Sequence, residues 1–197
     1  MPRPSVPEDP PLLVFVSRVA PNKRHDDLIR VLAALRATTQ PDARLVIVGR
    51  FTDTQDYVDA LHALSRDLGV DDAVDWTGRL DDARVGDVYG RASVFVCASE
   101  HEGFSVPLLE AMAFAVPIVA YAAGAVPDTL DGAGIVLRHK DPLVWAGVVD
   151  HVIRDRPLRE QLARAGQRRL QDFSGAVVRE RLAAALRSID VVPEVGT

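Results

Sequence analysis

Short apolar runs recur along the chain at Leu12–Ser17, Arg44–Gly49, Ala73–Trp76, Ser93–Ala98, Pro117–Tyr121 and Gly134–Leu137. Each has the length of a strand, and each is apolar continuously rather than at every second position. Such runs predict strands buried on both faces, as in a parallel sheet. Between them the period changes. Asp26–Thr38 puts Leu28, Ile29, Leu32 and Leu35 on one face, and Gln55–Leu68 repeats the spacing with Val58, Leu61, Leu64 and Leu68. That stripe is the signature of an amphipathic helix. Shorter helices are expected over Asp82–Arg91 and Pro107–Ala115, and three more over Pro142–Arg154, Pro157–Gln171 and Gly175–Ile189. Alternation of this kind predicts an α/β fold with a doubly wound, mostly parallel sheet flanked by helices.

Composition narrows the picture. Hydrophobic residues at 48% and charged residues at 26% exclude wholesale disorder, and a net charge of −5 without a dense basic cluster argues against nucleic acid. Five prolines among the first eleven residues mark 1–11 as a linker or boundary, before one domain at 12–190 and a tail at 191–197. The amino terminus has no signal-peptide pattern. The longest uncharged stretch, Ala111–Pro127, is short and broken by Pro117 and Gly124, so no transmembrane segment is expected; peripheral membrane contact stays open. Cys97 is the only cysteine. It rules out an internal disulfide and a cysteine-built zinc site, suits a cytoplasmic protein, and reads as a buried strand residue rather than a nucleophile.

In a doubly wound sheet, ligands sit at the carboxyl ends of the strands. Attention therefore falls on Ser17–His25, Gly49–Thr54, Gly78–Asp82, Ala98–Val106 and Tyr121–Val126. One of these loops opens the frame Glu102-Gly-Phe-Ser-Val-Pro-Leu-Leu-Glu110. Gly103 permits close approach of a ligand, and Pro107 suits a first helical turn. A helix start offers unpaired N–H groups to a phosphate. The flanking carboxylates would repel that phosphate, so sugar and ribose hydroxyls are their natural targets. The plainer alternatives are a solvated loop charge at Glu102 and helix-dipole stabilisation at Glu110. His101 can touch a hydroxyl or phosphate, or stand as a lone exposed histidine. Arg18 and Lys23 flank a proline-stiffened turn after the first strand and read either as a diphosphate clamp or as solvated charges.

The remaining histidines show no metal-ligand spacing, and the chain contains neither a P-loop nor a G-x-G-x-x-G in its first strand–helix turn. Trp76, Trp145, Phe95 and Phe114 read as core residues.

Together these loops resemble the carboxy-terminal, donor-binding domain of retaining glycosyltransferases of the GT-B fold, the family 4 or group 1 type, over about residues 12–190. The resemblance rests on Ser17-Arg18-Val-Ala-Pro-Asn-Lys23, Leu45-Val-Ile-Val-Gly49, Val74-Asp-Trp-Thr-Gly78, the frame Glu102–Glu110 and Gly124-Ala-Val-Pro-Asp128. It implies a Rossmann-like half of a GT-B enzyme whose substrate is a UDP-, GDP- or other nucleoside-diphosphate sugar, with no cofactor and no metal. Arg18 and Lys23 would hold the diphosphate and neutralise the leaving group. Glu102 would take a hydroxyl of the transferred sugar, and Glu110 the ribose hydroxyls. Backbone amides around Gly103, Phe104 and Ser105 would bind the sugar, that near Leu109 would face ribose or phosphate, and Gly78, Arg79 and Leu80 would edge the base. Ser17, Phe51, Ala115 and Asp128 depart from the usual glycine, glycine, glycine and glutamate. At Ala115 a left-handed helix cap would cost roughly 1 kcal/mol.

Such enzymes take a glycan or lipid-linked acceptor through an amino-terminal domain; with the first strand expected at Leu12, the reading is of an isolated domain or a fragment. The expectation is nucleotide-sugar binding without turnover by this chain alone. A non-catalytic nucleotide-sugar module or partner subunit shares all of these residues. A glycosidase using Glu102 and Glu110 would leave Arg18 and Lys23 without a role.

Overall fold

The apolar runs pair side by side in the computed structural model, which describes residues 10–51 and 55–180. They form β1 (Leu12–Val16), β2 (Arg44–Val48), β3 (Val74–Gly78), β4 (Val94–Cys97), β5 (Ile118–Tyr121) and β6 (Ile135–Leu137). All pairings are parallel, in a single sheet of order β3-β2-β1-β4-β5-β6. The central strands explain why alternation is missing from the sequence: Leu13, Val14, Val94 and Val96 have no exposed surface at all. Helices cover both faces of β1 and β4, so every position must be apolar.

The helices are α1 (His25–Thr38), α2 (Gln55–Asp67), α3 (Asp82–Arg91), α4 (Val106–Ala113), α5 (Val126–Leu130), α6 (Pro142–Arg154) and α7 (Arg156–Gln171). α1 packs against α2 and α6, while α4 packs against α7. Aspartates start three of them: the carboxylates of Asp81, Asp141 and Asp155 accept first-turn N–H groups of α3, α6 and α7, each a cap worth about 1 kcal/mol. α5 begins at the end of the loop expected over Tyr121–Val126 and was not predicted, because five residues are too few to show a helical period. Trp145 and Phe95 are buried as expected. Trp76 is only partly covered, and Phe114 is 38% exposed, its outer edge in solvent while its face stacks on Tyr89. The predicted helix at Gly175–Ile189 is helical over 175–180; its remainder, most of the amino-terminal proline segment and the tail lie outside the described residues. Among the described residues no helix is long and apolar enough to cross a membrane.

The strand order has a functional consequence. The chain winds outward from β1 through β2 to β3, then returns to β4 and winds the other way. The loops after β1 and β4 therefore diverge and leave a crevice at the carboxyl edge.

Ala115 does adopt the left-handed conformation, at φ 59. It closes α4 as a Schellman motif: Ala115 N–H donates to Met112 O and Val116 N–H to Ala111 O. Ala115→Gly is expected to raise stability by about 0.5 kcal/mol, because relief of the left-handed strain, about 1–2 kcal/mol, exceeds the loss of one buried methyl group, about 0.8 kcal/mol. Urea denaturation of the two proteins checks this, and an unchanged midpoint would contradict it.

Candidate functional site

Two glycines lay the carboxyl-edge loops on one another. Gly49 N–H donates to Gly78 O at 2.9 Å, and Ser17 N–H donates to Val48 O at 2.9 Å. A Cβ on Gly49 would fall 1.8 Å from the Ser17 carbonyl oxygen, so only glycine lets the loop bearing Arg18 come this close. Gly78 has φ +67 and turns the chain toward Arg79 and Leu80. The second-glycine position is filled by Phe51, which bridges to Val19 and sets its ring 6.1 Å from Trp76.

Against Ser17 lies a histidine that sequence reasoning passed over. His25 is fully buried, with its Nε2 3.2 Å from Ser17 Oγ. Burial, then the nearby Lys23 charge, lowers its pKa to about 3. It is neutral at physiological pH and supports the loop from below. The loop then makes a 3₁₀ turn over Pro21–Lys23 and passes through Arg24 at φ 55. This turn sends the Lys23 side chain across the crevice.

There it meets Glu102. Lys23 Nζ lies 2.7 Å from Glu102 Oε1, with only 14% and 9% of the two side chains exposed. The Cys97 thiol stands 3.8 Å from the same oxygen; burial pushes its pKa up to about 11 and keeps it protonated. Glu102 is also fixed through its backbone. Its carbonyl accepts Ala125 N–H at 3.1 Å, and a Cβ on Gly124 would stand 2.1 Å from that carbonyl oxygen.

A charge network outside the motifs ties the same loops together. Arg24 pairs with Asp26 and Asp27 at 3.0 Å and with Glu100 at 3.1 Å. Lys140 pairs with Asp27 and Glu100, each at 3.2 Å, and lies over the Tyr121 ring. Glu100 N–H donates to Asn22 O at 2.9 Å. Arg24, Glu100 and Lys140 were missed because nothing in their spacing marks them; Arg24 and Glu100 at least lie in loops singled out above, whereas Lys140, after β6, lies in none of them.

α4 supplies the rest. Ser105 precedes it at φ 53 without a side-chain cap; Leu108 N–H turns back to the Ser105 carbonyl at 2.9 Å and Pro107 has no N–H, so the helix start offers the N–H of Val106. One turn in, Glu110 Oε2 accepts the Tyr89 hydroxyl at 2.9 Å. His101, Gly103 and Phe104 are exposed, Ser105 is half-buried, and Leu109 packs on the core. Arg18 and Arg79 are exposed, and Arg18 has no ion-pair partner among the described residues. The fold thus joins Lys23 to Glu102 by direct contact. It sets Arg18, Gly78, Arg79, Leu80 and Glu110 along the same sheet edge without a bond between Arg18 and either glutamate.

A parallel sheet in this order, flanked by helices on both faces, is the architecture of one half of the GT-B glycosyltransferase fold. The chain belongs to the glycosyl transferases group 1 family, whose model matches residues 1–169. A D-inositol 3-phosphate glycosyltransferase of Stackebrandtia nassauensis is 34% identical over 164 residues, covering 80% of this chain and 37% of the relative. The chain thus spans well under half the length of that relative. The C-terminal domain of a group 1 glycosyl transferase, LpcC of Francisella tularensis, aligns with TM-score 0.71 and 28% identity over 84% of this chain and 86% of that one. HepE of Anabaena, in complex with UDP and glucose, aligns with TM-score 0.78 and 24% identity over 90% of this chain and 48% of that one.

Proposed function

We propose that this chain is the donor half of a glycosyltransferase, holding a nucleoside-diphosphate sugar at the β1/β4 crevice for transfer to an acceptor bound by a second domain. The observation that carries the reading is the buried Lys23–Glu102 contact at the switch point: one fixed cation and one fixed acceptor of hydroxyl hydrogen bonds, side by side. A diphosphate needs the first and a sugar needs the second. The HepE complex with UDP and glucose lends support by its shared fold.

In the reaction the bond between the sugar anomeric carbon and the diphosphate oxygen breaks. The acceptor oxygen replaces it, its proton is released, and the nucleoside diphosphate leaves with the bonding electrons. Lys23 and Arg18 face the charge that builds on the leaving group, and Lys23, already fixed in the crevice, meets it with little reorganisation. Glu102 orients the sugar, Glu110 takes the ribose, and Gly78–Leu80 edge the base. Retention of configuration is proposed with the family.

The glycosidase alternative fits poorly. Glu102 receives an ammonium and Glu110 a phenol hydrogen, so neither is poised as a proton donor.

Calorimetry against UDP, GDP, ADP and their sugars tests the proposal. At least one is expected to bind, and Arg18→Ala should weaken that binding by about 1.5 kcal/mol, the low end for a charge-assisted contact because Arg18 is exposed. Binding of none of these nucleotides would overturn it.

A further inference from the structure

Glu110 is gripped by a residue from a different helix. The Tyr89 hydroxyl lies 2.9 Å from Glu110 Oε2 and 3.2 Å from the Pro107 carbonyl oxygen. It has one proton to give, and an ionised carboxylate is the stronger acceptor. The ring itself cannot drift. Tyr89 is fully buried, stacked on Phe114 at 5.4 Å and 14° and on Phe95 at 6.0 Å and 28°. Burial first, and the Glu110 charge second, push the phenol far above its usual range, so it remains a donor at any working pH. The outcome is a carboxylate with one oxygen committed and the other without a partner among the described residues.

We propose that Tyr89 is a positioning residue for donor recognition: it locks the Glu110 carboxylate in the orientation that offers its second oxygen to the ribose diol. The inference rests on the donor-half reading above. A glutamate side chain free to rotate must be ordered on each binding event, which weakens every hydrogen bond it makes to ligand. Tyr89 removes that cost before the ligand arrives, and α3 thereby contributes to ribose selectivity without touching the donor. A purely structural tyrosine would instead support α4 as a whole and affect all ligands alike.

The test compares Tyr89→Phe, which keeps both ring stacks, with the parent protein. Binding of UDP, GDP and ADP is measured beside that of their 2′,3′-dideoxy counterparts. The parent is expected to prefer the ribonucleotide by about tenfold, the low end for hydrogen bonds to a charged group. In Tyr89→Phe that preference should fall by about threefold or more, while affinity for the dideoxy nucleotide stays near the parent value. An unchanged preference in the variant overturns the inference and leaves the donor-half reading standing. Failure of the parent to bind any of the nucleotides overturns both. A second measurement needs no change at Tyr89: proton NMR of the buried phenol hydroxyl, which must shift when Glu110→Gln removes the charged acceptor. A resonance indifferent to Glu110→Gln also overturns the inference.

Discussion

Gly124→Ala is expected to destabilise the domain by about 2–4 kcal/mol and to lower nucleotide-sugar affinity at least tenfold, the sum of a backbone clash and a left-handed alanine. Gly124 has φ +53, and its missing side chain is the space occupied by the Glu102 carbonyl. A methyl group there must push the loop after β4 outward. The Ala125 N–H to Glu102 O bond then breaks, and the Glu102 carboxylate moves off Lys23. Gly132→Ala separates strain from displacement: Gly132 has φ +81 but nothing within 4 Å of its Cβ position. It should lose only about 1 kcal/mol, with ligand affinity unchanged. Urea denaturation and calorimetry on the two variants give the comparison. If they behave alike, the Gly124–Glu102 contact has no role in holding the site.

That contact also shows where sequence reasoning stops. The strands were legible because two-sided burial forces every residue of β1 and β4, and all of β2 after Arg44, to be apolar, and α1 and α2 because a single buried stripe repeats at helical spacing. α5 was not legible, being shorter than two helical turns. At the site, the glutamate frame and the basic loop could be read locally, since each lies within one loop and the start of a helix. Their meeting could not. Lys23 and Glu102 are 79 residues apart, and only the adjacency of β1 and β4 in the sheet makes them neighbours. Gly124 belonged to a readable motif, yet the reason it must be glycine is a carbonyl oxygen from another loop. Tyr89 lies inside the helix expected over Asp82–Arg91, where nothing local marks its contact with Glu110. What stayed hidden is the long-range part of the site, which the winding order of the sheet decides.

Opposite consequences are expected from removing the two halves of the Lys23–Glu102 pair. Lys23→Ala leaves a carboxylate that is 91% covered without its cation. Breaking a fully buried pair costs about 3–5 kcal/mol; here, with water reaching the crevice, about 2 kcal/mol is expected. Affinity for free nucleoside diphosphate should fall as well, since the clamp loses its fixed charge. Glu102→Gln is different. The amide keeps the shape and removes the charge that competes with phosphate for Lys23. Free nucleoside diphosphate should therefore bind the variant as well as the parent or better, by up to about 1 kcal/mol. The sugar nucleotide should lose its advantage over the free nucleotide by about 1.5 kcal/mol, because a carboxylate accepts a sugar hydroxyl more strongly than an amide does. Calorimetry with both ligands on both variants reads the signs directly. Equal weakening of the two ligands by Glu102→Gln would refute this division of labour, and so would a Lys23→Ala variant that binds diphosphate as the parent does.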